Sequence, residues 1–225
     1  MKTILITGAA SGIGKACADH FRAAGAELVL VDKQAGDGII EGDVSDPDFW
    51  DGLDLPPLTG AVVNAGIGSF SFIGETEFAE WRRVMAVNLD GAFLTLKAAL
   101  AAMERGGSVV VTASATGLKP VPMTAAYGTS KAAVIQLARI AAAENAKRGI
   151  RVNAIAPGGV DTNIWEDQLD PARDRAEQIA EMGEGVPLGR YATAEEIAEQ
   201  VAFLMSDAAG TMTGAVLTSD GGFTL

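Results

Sequence analysis

The chain has 225 residues, of which 48% are hydrophobic and 27 are glycine, and this composition favours a well-buried α/β core. A formal net charge of -12 and the lack of any Lys/Arg run argue against nucleic acid or an anionic membrane as a partner. The single Cys17 excludes an internal disulfide, and the sequence shows no Cys/His cluster, no signal peptide and no apolar run of transmembrane length, so we expect a metal-free cytoplasmic protein.

Two predicted strands flank a helix near the start of the chain. Residues 3–7 and 27–31 are apolar enough for buried strands, and residues 15–24 show helical periodicity. The glycines before the helix let a pyrophosphate approach the backbone, where the N–H groups of the helix N-terminus attract it. Their spacing is G-x-x-x-G-x-G and differs from the general G-x-G-x-x-G fingerprint. A plain structural turn would show the same glycines, but strand, helix and a following acid together predict nucleotide binding.

The acid is Asp32, at the end of the second strand, where a carboxylate can bind the adenosine ribose. A carboxylate there repels a 2′-phosphate, so NAD is the expected cofactor and NADP is less favoured. Ser11, rather than a basic residue, precedes Gly12, which removes one partner for such a phosphate. Lys33 is a counter-charge that keeps the preference from being absolute.

The crossover after Asp32 is predicted to lack a helix. Only ten residues separate Asp32 from Asp43, and three of them are glycine. We therefore expect a loop and a minimal strand near residues 39–40, followed by Asp43 and Val44 flanking an adenine. Residues 46–58 have room for one or two helical turns.

Residues 61–63 predict another buried strand, which ends in Asn64, Ala65 and Gly66, small or polar residues that let a cofactor lie close to the backbone. A long helix is predicted over residues 78–103, with a bend near residues 88–91. Asn88 is polar among apolar neighbours in this helix. Such an Asn either bonds locally or faces solvent, or it anchors a water or a backbone segment.

The segment from the strand at 108–112 into a helix at 127–148 carries the groups for carbonyl chemistry. Thr124 is the expected N-cap of that helix. Tyr127 and Lys131 are four residues apart and so share one helix face. An ammonium one turn away favours the phenolate and is expected to lower the pKa of Tyr127, which makes the phenol an acid/base for an alcohol or carbonyl oxygen. Ser114 offers a hydroxyl to the same oxygen.

The last third of the chain completes the alternation of strands and helices. A strand is predicted over residues 151–156 and another over 215–218, and a Thr193-x-x-Glu196 capping box begins a helix ending near 206. Residues 162–190 are irregular and predict helical pieces in a substrate lid. About seven strands alternating with helices predict one domain, residues 1–225, built on a doubly wound Rossmann-type parallel sheet.

These motifs together resemble the short-chain dehydrogenase/reductase family over essentially the whole chain. The resemblance rests on the order and spacing of the glycine turn, Asp32, the segment 64–66, Asn88, and the Ser114, Tyr127 and Lys131 set. It implies Tyr127 as acid/base, Lys131 as its tuner and a ribose ligand, Ser114 as carbonyl polariser, and Asn88 as holder of a water. The short crossover departs from the family and implies a more open adenosine side.

The resemblance, taken with the motifs above, also assigns binding residues. The expected cofactor contacts are Gly8, Ser11, Gly12, Ile13, Gly14, Asp32, Asp43, Val44, Asn64, Ala65, Gly66, Thr112, Tyr127, Lys131, Pro157, Gly158, Val160 and Thr162. The expected substrate pocket consists of Ser114, Ala115, Thr116, Met123, Tyr127, Gly159 and Trp165. No Arg or Lys is placed there, which favours a small neutral alcohol or ketone. Alanine-rich helices at 92–103 and 131–143 predict a homo-oligomer, a dimer or tetramer.

The expected reaction is hydride transfer between NAD and a secondary alcohol or ketone. Two other classes stay open. One is a non-enzymatic NAD-binding sensor or scaffold, and the other is an epimerase or lyase of the same family without net redox change. The first would bind NAD without turnover, and the second would turn over without net NADH change.

Overall fold

Seven parallel strands form one sheet in the order β3-β2-β1-β4-β5-β6-β7. The computed structural model describes residues 2–225, apart from the side chain of Asp167. The strands are β1 Thr3–Thr7, β2 Glu27–Asp32, β3 Ile39–Glu41, β4 Gly60–Val63, β5 Gly107–Thr112, β6 Ile150–Pro157 and β7 Val216–Ser219. The predicted seven-stranded α/β fold is confirmed.

Helices cover both faces of this sheet. They are α1 Gly12–Ala23, α2 Pro47–Gly52, α3 Phe78–Met85, α4 Gly91–Ala101, α5 Ala125–Asn145, α6 Arg175–Gly183 and α7 Ala194–Met205. Successive strand residues point to opposite faces, so Ile4 and Ile6 pack with α1 and α7, whereas Leu5 packs with α4 and α5. The sheet is therefore doubly wound, as predicted.

The strand order reverses between β1 and β4, which are neighbours in the sheet. In a parallel sheet, the loops that leave two such strands diverge and open a crevice at the carboxyl edge. The turn at Gly8 and the segment beginning at Asn64 lie at this point. The topology thus places the glycine turn beside the small residues that follow β4.

The crossover from β2 to β3 contains no helix, as predicted. After only a short loop, β3 pairs with β2, so that Leu30 lies opposite Ile39 and Asp32 opposite Glu41. Strand β3 is therefore a three-residue edge strand. The single short helix α2 follows it, capped by the Asp46 side chain, which accepts a hydrogen bond from the Asp48 amide.

The long helix predicted around Asn88 is continuous but changes pitch. A π-helical segment, Ala86–Asp90, joins α3 to α4 at the predicted bend. Because the three pieces run together, Phe78–Ala101 is long and apolar enough to cross a membrane, and the expectation that no such run exists was wrong. Its side chains Val84, Leu96 and Ala99 are buried in the protein, as in a core helix.

Candidate active site

Strand β5 ends at Thr112, and Ser114 follows after Ala113. Ser114 is the N-cap of a short 3-10 helix, Ala115–Gly117. Its Oγ accepts hydrogen bonds from the amide of Thr116 at 3.2 Å and from the hydroxyl of Thr116 at 3.0 Å. Because that oxygen already accepts twice, its own hydrogen is free to point elsewhere. The Tyr127 phenol lies nearby, and Ser114 opposes the rise that burial causes in the pKa of Tyr127. Thr116, predicted to contact substrate, therefore also orients Ser114.

Tyr127 and Lys131 lie on α5, which begins at Ala125 rather than at Tyr127. Thr124 occupies the N-cap position, but its hydroxyl donates to the Val121 carbonyl at 2.8 Å instead of capping the helix. The cap position was predicted correctly and its hydrogen bond was not. The extra turn that Val121 and Thr124 close fixes the entry into α5 beside Ser114.

The pKa of Tyr127 differs from the expectation. Burial raises the pKa of this phenol, and the neighbouring Ser114 opposes that rise. Lys131 was expected to lower the pKa of Tyr127, but its Nζ lies 5.8 Å from the ring centroid and donates to the Thr112 carbonyl at 2.9 Å. Burial also lowers the pKa of Lys131 from 10.5 to about 8. Desolvation of both groups therefore dominates over their mutual effect.

Asn88 is buried at the π-helical segment, which turns its side chain inward. Its Oδ1 accepts from the amide of Ile67 at 2.8 Å, and its Nδ2 donates to the Ile67 carbonyl at 3.0 Å and to Ser130 Oγ at 3.0 Å. The side chain thus anchors a backbone segment, which was one of the open alternatives. The expected role of Asn88 as holder of a water stays a prediction.

Ser130 was missed from the sequence. It is fully buried between Tyr127 and Lys131 and donates to the Tyr127 carbonyl at 2.7 Å, while it accepts from Asn88. Its position next to Lys131 in the motif was the only signal. Gly66 closes the same cluster, because a Cβ there would lie 3.2 Å from Lys131 Nζ and 3.3 Å from Asn88 Oδ1.

The glycine turn leaves no room for side chains. A Cβ on Gly14 would lie 1.9 Å from the Gly8 carbonyl oxygen, and Gly8 itself has a positive φ of 69°. Asn64 donates from Nδ2 to the Thr7 carbonyl at 3.2 Å, and Thr7 Oγ1 accepts from the amides of Asn64 and Ala65. Thr7, another residue missed from the sequence, thus ties the turn after β1 to the segment after β4.

The residues around the turn fit a dinucleotide. Helix α1 begins at Gly12, and the Ser11 side chain at the N-cap position does not cap it. Its first turn has no acidic residue, so the N–H groups there suit a pyrophosphate. Asp32 faces the turn and accepts from the amide of Ala10 at 2.9 Å. Among the described residues, the buried Thr112 Oγ1 finds no hydrogen-bonding partner. A polar ligand beside β5 would satisfy it.

Other predicted cofactor contacts follow the carboxyl ends of the strands, but Val160, also predicted as a contact, is buried in the core with 5% of its surface exposed. Pro157 ends β6, and Gly158 packs so closely on Asp220 that a Cβ would lie 2.8 Å from the Asp220 Cα. Thr162 reaches across to the glycine turn, where its Cγ2 would lie 3.2 Å from a Cβ on Gly12. On the adenosine side, Asp43 pairs with Lys33 at 3.1 Å and accepts from Ser45, while Val44 is buried.

Residues 8–224 match the family model described as enoyl-(acyl carrier protein) reductase. The chain is 37% identical over 246 residues to 2-(S)-hydroxypropyl-CoM dehydrogenase 3 of Xanthobacter autotrophicus (strain ATCC BAA-1158 / Py2), which covers 99% of this chain and 96% of that protein. The structure of this protein is similar to that of ligand-free Thermoplasma acidophilum aldohexose dehydrogenase, with a TM-score of 0.90 and 33% sequence identity. The match covers 99% of this chain and 94% of that one. The chain belongs to the short-chain dehydrogenase/reductase family.

A further relative is inactive 2-(S)-hydroxypropyl-CoM dehydrogenase 2 of the same Xanthobacter strain, 44% identical over 177 residues, with 76% of this chain and 75% of that protein covered. These relatives of the chain are named as dehydrogenases. This short-chain dehydrogenase/reductase is therefore an NAD(P)-dependent oxidoreductase that interconverts a secondary alcohol and a ketone.

The substrate side of this oxidoreductase differs in one position from the prediction. Ala115 is buried, with 1% of its surface exposed, in the 3-10 helix. Gly159 is half-buried beside Tyr191, whose ring carbon Cδ1 would lie 2.2 Å from a Cβ on Gly159. Met123 is 43% exposed and has a positive φ of 68°, a strained conformation for this side chain.

Proposed function

We propose that Tyr127 is the acid/base of this oxidoreductase, Ser114 the second donor to the substrate oxygen, and Lys131 and Asn88 the residues that fix Tyr127 in place. The observation that carries the proposal is that Ser114 lies beside the Tyr127 phenol at the carboxyl edge of β5, with the buried Lys131 one turn away. Two neighbouring hydroxyls can both reach one substrate oxygen.

In the oxidation direction, Tyr127 must first lose its own proton, which burial of the side chain in this structure opposes, and as a phenolate it then takes the proton of the substrate hydroxyl. Ser114 donates to the same oxygen and steadies the charge that develops there. A bound nicotinamide dinucleotide supplies the acceptor for the hydride that leaves the carbinol carbon. In the reduction direction, the protonated phenol returns its proton to the carbonyl oxygen. Lys131, held by the Thr112 carbonyl, keeps a positive charge near the phenolate at neutral pH.

NAD is the proposed cofactor, and NADP is less favoured. The Asp32 carboxylate is directed at the turn by the amides of Ala10 and Gln34, where it would face a 2′-phosphate. Lys33, the nearby cation, is paired with Asp43 and so is already partly neutralised. The open crossover between β2 and β3 adds no other positive group to that side.

The proposed substrate is a small neutral alcohol or ketone under a lid formed by residues 162–190. The arginines of this segment are engaged by acids rather than left for a substrate anion. Arg175 pairs with Asp161 at 2.7 Å and with Glu166 at 2.8 Å, and Arg190 pairs with Glu196 at 2.6 Å. No cation therefore points into the pocket from these pairs.

We further propose a cytoplasmic homo-oligomer that pairs copies of α4 and α5. Each of these helices buries one face on the sheet and leaves apolar groups on the other. Phe93 is 51% exposed and Ile140 is 46% exposed, so each helix presents a large apolar side chain to solvent. A two-fold axis would cover both patches with their own copies.

The test is reduction of NAD or NADP by the purified protein with a panel of cyclic, open-chain, sugar and aryl alcohols. We expect NADH to accumulate with at least one neutral secondary alcohol. The inactive relative favours one competing function, an NAD-binding sensor. NAD binding measured by calorimetry together with a complete lack of turnover over the panel would support that function and contradict ours.

A further inference from the structure

Three aromatic rings form a stack that ends at the catalytic phenol. Phe70 and Trp165 are stacked with centroids 5.7 Å apart, and Trp165 and Tyr191 are stacked at 5.4 Å. Phe70 lies 6.2 Å from Tyr127 with a 32° tilt between the rings. The sequence identified Trp165 as a pocket residue but gave no sign of Phe70 or Tyr191.

The rings come from three separate segments and are individually held. Trp165 donates from Nε1 to the Val160 carbonyl at 2.8 Å, which fixes the indole plane. Tyr191 lies flat on the backbone of Gly159. The loop of Phe70 is tied to the substrate side by the Ser71 amide, which donates to the Met123 carbonyl at 2.8 Å. The array is therefore a built wall and not a chance contact of loose side chains.

Aromatic stacks usually serve as core packing, but this one does not belong to the core. Phe70, Trp165 and Tyr191 are half-buried, and neither of the two core clusters in the described chain contains them. The stack stands at the mouth of the crevice, between the loop after β4 and the proposed lid. Trp165 and Tyr191 have other rings or backbone against them, so the half-buried Phe70, at the end of the array beside Tyr127, is the ring that a ligand can contact.

We propose that Phe70 is a specificity-determining residue that selects secondary alcohols and ketones with a flat or cyclic apolar body. This rests on the proposed role of Tyr127, because a substrate oxygen within hydrogen-bonding reach of that phenol must place its carbon body beside the adjacent ring. A ring-shaped apolar body presents a broad, pre-formed surface to an aromatic side chain, whereas an open chain must give up rotational freedom to make the same contact. Hydroxyls of an open-chain polyol would lose their water against the same faces without gaining a partner.

The experiment compares kcat/KM for cyclohexanol and 2-hexanol, which have the same number of carbons and differ in shape. We expect wild type to prefer cyclohexanol, and Phe70→Ala to reduce the cyclohexanol to 2-hexanol ratio about tenfold, mainly through KM. Phe72→Ala is the matched control, because its ring is 52% exposed on the same loop, and the ratio should stay unchanged. Phe70→Leu keeps an apolar group without a flat face, so we expect an intermediate ratio. This variant tests the proposal if Phe70→Ala does not fold.

An unchanged ratio in folded Phe70→Ala or Phe70→Leu would overturn the proposal while leaving the role of Tyr127 intact. Tyr127→Phe tests that role separately, since it should abolish turnover of both alcohols. If wild type turns over neither alcohol, the fluorescence of Trp165, isolated by comparison with Trp165→Phe, is titrated with cyclohexanone. A saturable change that Phe70→Ala loses upholds the stack as a binding wall, and no change overturns it.

Discussion

The side chains of Asn88 and Ser130 are joined by a hydrogen bond of 3.0 Å across 42 residues of sequence. This bond connects the π-helical segment to the turn of α5 that lies between Tyr127 and Lys131. Ser130 passes the constraint on, because it donates to the Tyr127 carbonyl at 2.7 Å. Asn88 in turn grips both the amide and the carbonyl of Ile67. The backbone beside Tyr127 and Lys131 is thus held from a second helix.

Replacement of Ser130 should reduce turnover without removing any reacting group. Ser130→Ala leaves the buried Asn88 Nδ2 short of an acceptor, at a cost of about 1–3 kcal/mol, so we expect kcat to fall about tenfold. Ser130→Thr restores the hydroxyl and should recover most of the loss. Thr129→Ala changes an exposed neighbour and serves as the control. Equal kcat values for Ser130→Ala and wild type would refute this positioning role.

The ionisation of Lys131 should appear in the pH dependence of stability. Burial lowers the pKa of Lys131 to about 8 in the folded protein, whereas the pKa in the unfolded chain is near 10.5. Between those values the unfolded state binds more protons, so the free energy of unfolding rises with pH. Relative to Lys131→Met, wild type should gain about 2 kcal/mol from about pH 7.5 to about pH 9.5 in urea unfolding. Parallel pH profiles for the two proteins would show that Lys131 is not desolvated.

Cofactor preference should depend on Asp32. Asp32→Ala removes the charge that would face a 2′-phosphate, and we expect the ratio of kcat/KM for NADP over NAD to rise about tenfold, equivalent to about 1.4 kcal/mol. Asp37→Ala removes an exposed acid of the same crossover and should leave the ratio as it is. A similar rise in both variants would point to net charge rather than to Asp32.

The proposed assembly depends on the outer faces of α4 and α5. Phe93→Glu places a charge on the exposed apolar patch, so light scattering at micromolar concentration should report a smaller species than wild type. Ile73→Glu, at a side chain that is 84% exposed outside these helices, should leave the mass unchanged. A wild-type monomer under the same conditions would rule out the assembly.

The sequence predicted the sheet, the helix-free crossover and the long bent helix, because hydrophobic periodicity and glycine spacing are local signals. It placed Ser114, Tyr127 and Lys131 together for the same reason. It did not predict the direction of the pKa shift of Tyr127, which depends on burial by distant segments.

Contacts between segments far apart in sequence were also missed. Ser130 and Thr7 form hydrogen bonds with residues more than 40 positions away. Phe70 stacks on Trp165, which belongs to a distant segment of the chain. Ala115 was predicted to line the pocket from its position alone, and its neighbours bury it. No local pattern encodes such coverage.

The most direct test of the catalytic assignment is Tyr127→Phe, assayed with an alcohol that wild type oxidises. The variant removes one hydroxyl from a residue whose ring packing is kept, so the fold and NAD binding should be preserved. We expect kcat to fall at least about 1,000-fold, within the range by which a positioned acid/base accelerates a reaction. Turnover of Tyr127→Phe at the wild-type rate, with normal NAD affinity, would contradict the assignment of Tyr127 as the acid/base.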